Sequence, residues 1–185
     1  MTKNDHFRSM LLKAKERGFC PEYVLFDSWY ASLDNLKLIR KLDWLWLTRL
    51  TRSVDPDGNG NRPLSEVNIE EKGSLVHLKA YGWIKVFKLV SKERGIEYWA
   101  TNNLKMNELD RLSLSEKGWI IEEYHRGIKQ FCGVERCQAR TEKAQRNHIL
   151  FSLRALLRIE RFCFQTGLTW FEAKIGIVIE AVKIY

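Results

Sequence analysis

Two short apolar runs, Tyr23-Val24-Leu25-Phe26 and Trp44-Leu45-Trp46-Leu47-Thr48-Arg49-Leu50, constrain the fold more than any other feature of the chain. The first has no polar interruption, the pattern of a strand covered on both faces in a parallel sheet, and Pro21 forces an extended approach to it. Between the runs, Leu33, Leu36, Ile39 and Leu42 stay in helical register over about Ser32 to Lys41. Ahead of them, Asn4 or Asp5 is expected to cap a helix with Met10, Leu11 and Ala14 on its apolar side, which Gly18 stops after Arg17. Helix, strand, helix, strand is the order of an α/β domain, and it sets Asp27 at the tip of a buried strand. An aspartate there has two uses, capping the helix that follows Ser28 or presenting a carboxylate to a site at the strand ends.

From Thr51 the texture changes. Asp55-Pro56-Asp57-Gly58-Asn59-Gly60-Asn61 reads as a turn or mobile loop. Val76-His77-Leu78-Lys79, Trp83 to Val90 and Glu97-Tyr98-Trp99-Ala100-Thr101 then read as antiparallel strands, joined at Gly82 and at an Arg94-Gly95 turn. The expected organisation is therefore an α/β part over 1–50, a β-rich insertion over 51–114 and a helical remainder over 115–185. A long amphipathic helix over about Glu142 to Phe164 carries Ile149, Leu150, Leu153, Leu156 and Leu157, with Arg154, Arg158 and Arg161 forming a basic opposite side.

Lys and Arg outnumber Asp and Glu by 31 to 23, a net charge of +8, which favours an acidic partner. With seven Trp and 12% aromatic residues the chain is no disordered basic tail, so nucleic acid is the leading partner. The start lacks the apolar stretch of a signal peptide and no run approaches about eighteen apolar residues, so a membrane is not expected and the location expected is cytoplasmic. Cys20, Cys132, Cys137 and Cys163 lack disulfide-framework spacing and are expected as reduced thiols; Cys132 and Cys137 with His125 or His148 lack the second Cys pair of a strong zinc motif. No P-loop or dinucleotide glycine motif supports nucleotide-cofactor chemistry.

The segment from Trp119 to Lys129 reads as a helix with Glu122, Arg126 and Lys129 on one face and Ile121, Tyr124 and Ile128 on an adjacent apolar one. Taken alone, Glu122 and Arg126 are an ordinary i,i+4 ion pair. Together with Asp27 they suggest more, because a carboxylate at a strand tip and one on a later helix can share divalent cations. Magnesium suits such donors, and two ions about 4 Å apart would serve phosphodiester displacement.

Phe26-Asp27-Ser28-Trp29-Tyr30, Tyr98-Trp99-Ala100-Thr101-Asn102 and Ile121-Glu122-Glu123-Tyr124-His125-Arg126-Gly127-Ile128-Lys129-Gln130 resemble DDE transposases of bacterial insertion sequences, in the cut-and-paste group with a Tyr-Arg-Glu-Lys signature. The resemblance implies an α/β fold, a ribonuclease-H-like catalytic core with an inserted β-rich subdomain and C-terminal helices. It makes Asp27 the second catalytic aspartate and Glu122 the catalytic glutamate, both ligands of Mg2+ or Mn2+. Lys129 becomes the lysine that contacts the DNA end; Arg126, Arg154 and Arg158 are further DNA-binding candidates. Ser115 and Gly118 stand where the signature has tyrosine and arginine, leaving those phosphate contacts to neighbours such as Lys117.

The family's first aspartate has no counterpart, since the residues before Asp27 read as one helix and a turn and Asp5 there is a helix cap. The expectation is an incomplete core, a transposase fragment inactive alone, or a non-catalytic basic DNA-binding fragment that regulates a full-length transposase. Its partners would be transposon-end DNA and a second chain, as a homodimer or with full-length transposase. Most Trp are expected in the core, with Trp83 and Trp99 the residues to test for stacking on a displaced base. His77, His125 and His148 show no ligand-like grouping.

Overall fold

The computed structural model describes residues 1–92 and 95–183; Arg94, half of the expected Arg94-Gly95 turn, lies outside the described residues. The chain divides into two compact units, Met1–Gly118 and Trp119–Tyr185.

In the first unit, helix α1 (Lys3–Glu16) begins from Thr2 instead of Asn4 or Asp5. Asp5 lies inside the first turn and completes a capping box: its amide donates to Thr2 Oγ1 at 3.2 Å, and the Thr2 amide donates to its Oδ2 at 2.7 Å. The hydrogen bond from the Thr2 amide, helped by the Thr2 hydroxyl, favours the ionised carboxylate and holds the Asp5 carboxyl below the usual range. The buried stripe runs through Phe7 and Leu11 with Ala14 packed beside it; Met10, expected there, is exposed. Strand β1 (Tyr23–Phe26) leads through a 3-10 turn (Ser28–Tyr30) into α2 (Leu33–Lys41), capped by Ser32, and then β2 (Leu45–Arg49). Strands β3 (Ser74–Leu78), β4 (Gly82–Ser91) and β5 (Gly95–Thr101) follow, and α3 (Glu108–Gly118) closes the unit.

The five strands form one sheet in the order β1-β2-β5-β4-β3. β1 and β2 are parallel, in keeping with the unbroken apolar run of β1, and the other pairings are antiparallel. Because β5 returns to pair with β2, the segment expected as an insertion extends the sheet that β1 and β2 begin. Period-2 alternation divides β1, β2, β4 and β5 between two cores. Val24, Phe26, Trp46, Ile84 and Ala100 join Phe7, Leu36 and Ile39 on the α1/α2 side. Tyr23, Leu25, Leu47, Phe87 and Trp99 join Met106 and Leu114 on the α3 side. Both faces of β1 are thus covered, while its position at the edge of the sheet leaves its residues only half-buried. The glycine-rich loop is a hydrogen-bonded turn, with Asp55 Oδ1 accepting from the Gly58 amide at 2.7 Å and Asp55 bridging to His77 of β3.

The second unit contains α4 (Ile120–Gln130), α5 (Glu142–Thr166) and α6 (Trp170–Lys183). Thr141 caps α5 and Gly167, at φ +72°, ends it. Its buried positions are Ser152, Leu156 and Ile159, while Ile149, Leu150 and Leu157 are exposed, so the packed stripe is rotated from the expected one. On α4 only Gly127 and Ile128 are buried, and Ile121 and Tyr124, expected on an apolar packing face, are exposed. Among the described residues no helix is long and apolar enough to cross a membrane.

Candidate functional site

The parallel register of β1 and β2 builds the first part of the site. Phe26 pairs with Thr48, so Asp27, the first residue beyond β1, lies beside Arg49, the last residue of β2. Arg49 in turn pairs with Trp99 of β5, and alternation puts Glu97 on the same face as Trp99, diagonal to Arg49. The side chains follow this layout. Arg49 Nη1 donates to Glu97 Oε1 at 3.1 Å, and Nη2 lies 3.9 Å from Asp27 Oδ1. Trp99 Nε1 donates to the second Glu97 oxygen at 3.4 Å. Beneath them, Thr48 Oγ1 donates to the Phe26 carbonyl at 2.7 Å and fixes the tip of β1.

Asp27 occupies the N-cap position of the Ser28–Tyr30 turn, yet its carboxylate caps no amide. The turn is closed by the backbone, with the Tyr30 amide donating to the Asp27 carbonyl at 2.9 Å. Among the described residues the side chain accepts a hydrogen bond only from Ser28 Oγ, at 2.9 Å, and it is exposed to an open cleft of about 550 Å³. Trp29, Arg49, Leu64, Glu97 and Tyr98 also line that cleft. The helix cap expected as one use of this aspartate is therefore not made by its side chain.

The remaining expected residues, Glu122, Arg126, Lys129, Arg154 and Arg158, belong to the second unit. Glu122 is exposed in the first turn of α4, where the helix dipole favours a negative charge. Arg126 does not pair with it; its Nη2 lies 3.9 Å from Glu123, one position closer along the helix. Lys129 Nζ meets Glu135 at 2.8 Å, and that hydrogen bond and charge raise its pKa, with a smaller contribution from Glu122. The lysine expected to contact DNA thus has an internal carboxylate partner. Arg154 and Arg158 have no ion pair among the described residues. They border a groove of about 730 Å³ with Phe131, Phe151, Ile159 and Phe162, so this side of α5 mixes cations with apolar surface instead of being uniformly basic.

Asp27 is the kind of donor a hard divalent cation takes, but donors in number are lacking within either unit. Among the described residues no group of three or more His, Cys, Asp or Glu is close enough to hold an ion. Asp5 is committed to capping α1. Cys132, Cys137 and the other two cysteines are free, His148 Nε2 lies 3.1 Å from the Gly133 carbonyl, and His77 packs edge-on against Trp83.

Arg49, Glu97 and Trp29 were not singled out by the sequence. Arg49 ends the second apolar run, but its place beside Asp27 needed the β1–β2 register. Glu97 needed the β2–β5 register, which no local pattern carries. Of the tryptophans marked for stacking, Trp83 is exposed, whereas Trp99 is half-buried with its N–H on Glu97. Trp29, 76% exposed, stands in the cleft itself.

The fold and this site define a mixed α/β domain that gathers a carboxylate and a cation where two parallel strands end. The family model of the transposase DDE domain matches residues 2–158, and the chain belongs to that family. Its function is accordingly that of a transposase domain, in a family that acts on DNA and generally uses a divalent metal ion. No curated protein matches the sequence.

Proposed function

We propose that the chain carries two of the three catalytic carboxylates, Asp27 and Glu122, of a cut-and-paste transposase of the Tyr-Arg-Glu-Lys group with a ribonuclease-H-like core. The observation that carries the reading is Asp27: a carboxylate at the end of a parallel strand, unused as a cap and open to a cleft, in a chain whose family match also spans Glu122. In this reading Asp27 and Glu122 would each be a ligand of Mg2+ or Mn2+, which would supply activation of an attacking oxygen and stabilisation of a leaving one in phosphodiester chemistry. Lys129 exchanges Glu135 for a phosphate at the DNA end, and Arg126, Arg154 and Arg158 take backbone phosphates. A cytoplasmic place of action goes with a DNA substrate.

Two carboxylates do not reproduce a three-carboxylate centre, so the 185-residue chain by itself is inactive in this reading. The test is a nicking assay on transposon-end DNA with Mg2+ or Mn2+. No cleavage above background is expected; robust cleavage that disappears in Asp27→Ala would overturn the inactivity.

A second reading, a non-catalytic DNA-binding chain that pairs with itself or with a full-length transposase, is favoured by the net charge of +8 and by Arg154 and Arg158, which have no ion pair among the described residues. It requires DNA binding that survives Glu122→Gln.

A further inference from the structure

We propose that Arg49 is a resident counter-ion of the Asp27 cleft, held in place by Glu97, which keeps divalent metal from binding Asp27 tightly. The inference rests on the reading of Asp27 as a metal ligand and concerns how that ligand is regulated. A guanidinium is permanently charged and presents a planar fork of donors, so one group can serve two carboxylates at once. Arg49 does this, with one nitrogen on Glu97 and the other towards Asp27.

The two contacts are unequal. The Glu97 contact is the shorter, at 3.1 Å against 3.9 Å, and the Glu97 side chain is 19% exposed against 53% for Asp27. Glu97 is itself steadied by the Trp99 N–H. The backbone beneath is fixed too, since the Leu50 amide donates to the Tyr98 carbonyl at 2.8 Å. Glu97 is therefore the anchor, and the arm facing Asp27 is the loose one.

A cation fixed beside the carboxylate acts on metal binding in two ways. It reduces the cleft's charge from that of two carboxylates to that of one, and it repels an incoming ion directly. For a divalent ion about 5 Å from the guanidinium in water-like surroundings, the repulsion weakens binding about tenfold at low ionic strength and less as salt screens it. At the cleft Glu97 holds Arg49 with one oxygen and accepts from Trp99 Nε1 with the other.

Trp29 and Tyr98 line the cleft and can sensitise a bound lanthanide, so Tb3+ luminescence titrations of the full chain, repeated with Mn2+ as competitor, read binding without any catalytic assay. Arg49→Gln should tighten Tb3+ and Mn2+ binding about fivefold to tenfold at low salt, and Arg49→Lys, which keeps the charge, should not. The gain should persist when Glu97→Gln is added and vanish when Asp27→Asn is added. If Asp27→Asn weakens binding but Arg49→Gln leaves it unchanged, the counter-ion role is overturned while the metal reading of Asp27 stands. If Asp27→Asn changes nothing in either background, the metal reading itself falls. A gain that needs Glu97 but not Asp27 overturns the proposal as well, since Arg49 would then guard the wrong carboxylate.

Discussion

Asn35 has no solvent exposure, and its side chain ties α2 to α1 and to the turn that follows Asp27. Its Nδ2 donates to Asn4 Oδ1 in α1 at 2.8 Å and to the Tyr30 carbonyl at 2.9 Å, and its Oδ1 accepts from Arg8 at 3.0 Å. Removing it leaves buried polar partners unsatisfied, so Asn35→Ala should cost about 2 kcal/mol, read as a lower urea midpoint with an unchanged slope. Asn35→Ala with the stability of the parent would show that water replaces these bonds without loss. Nothing in the sequence marked Asn35, because its value lies in partners from α1 and the turn after Asp27. Asp27 was legible, since its position at a strand tip follows from the apolar run before it. Arg111 shows the same limit from the other side: this α3 residue is 3% exposed, lies over the Phe87 ring with its Nε unpaired, and has its pKa lowered by burial.

At the scale of elements, α4 owes its seat to a glycine. A Cβ at Gly127 would lie 2.6 Å from Trp170 of α6 and 3.2 Å from Leu156 of α5. Gly127→Ala sets two effects against each other: a helix-propensity gain of about 1 kcal/mol and an overpacking cost of about 1–3 kcal/mol against a large ring that also packs on Phe131. The clash is with a rigid ring near the helix backbone, so the cost should win and the thermal midpoint should fall. Gly176 in α6 has nothing within 4 Å of such a Cβ, so Gly176→Ala should raise the midpoint in the same experiment. Equal responses of the two variants would refute this account of α4 packing. The existence of α4 and α5 was readable from their periodicity, and their packed faces were not. Apolar residues on α4 and α5 exceed what one face can bury, and only the neighbouring helices select Ile128, Leu156 and Ile159 over Ile121, Leu150 and Leu157.

For the whole molecule, the proposed DNA-binding role rests on the net charge of +8 and on Arg154 and Arg158, unpaired among the described residues, and would be dominated by counter-ion release. Affinity for duplex DNA should fall steeply between about 50 and about 200 mM salt, and replacing both arginines with glutamine should reduce the log–log salt slope by about 2. A slope untouched by the double substitution would place the phosphate contacts elsewhere. The sequence by itself determined the net charge, the parallel pairing of the first two strands, the position of Asp27 at a strand tip and the family, because these depend on composition, local periodicity and short motifs. Tertiary structure alone decided that β5 enters the sheet beside β2, that Arg49 stands between Asp27 and Glu97, and which helix faces are buried. The reason is physical: periodicity says which way side chains point along one element, whereas register and packing are agreements between segments far apart in the chain, settled only when the sheet and the helices have assembled.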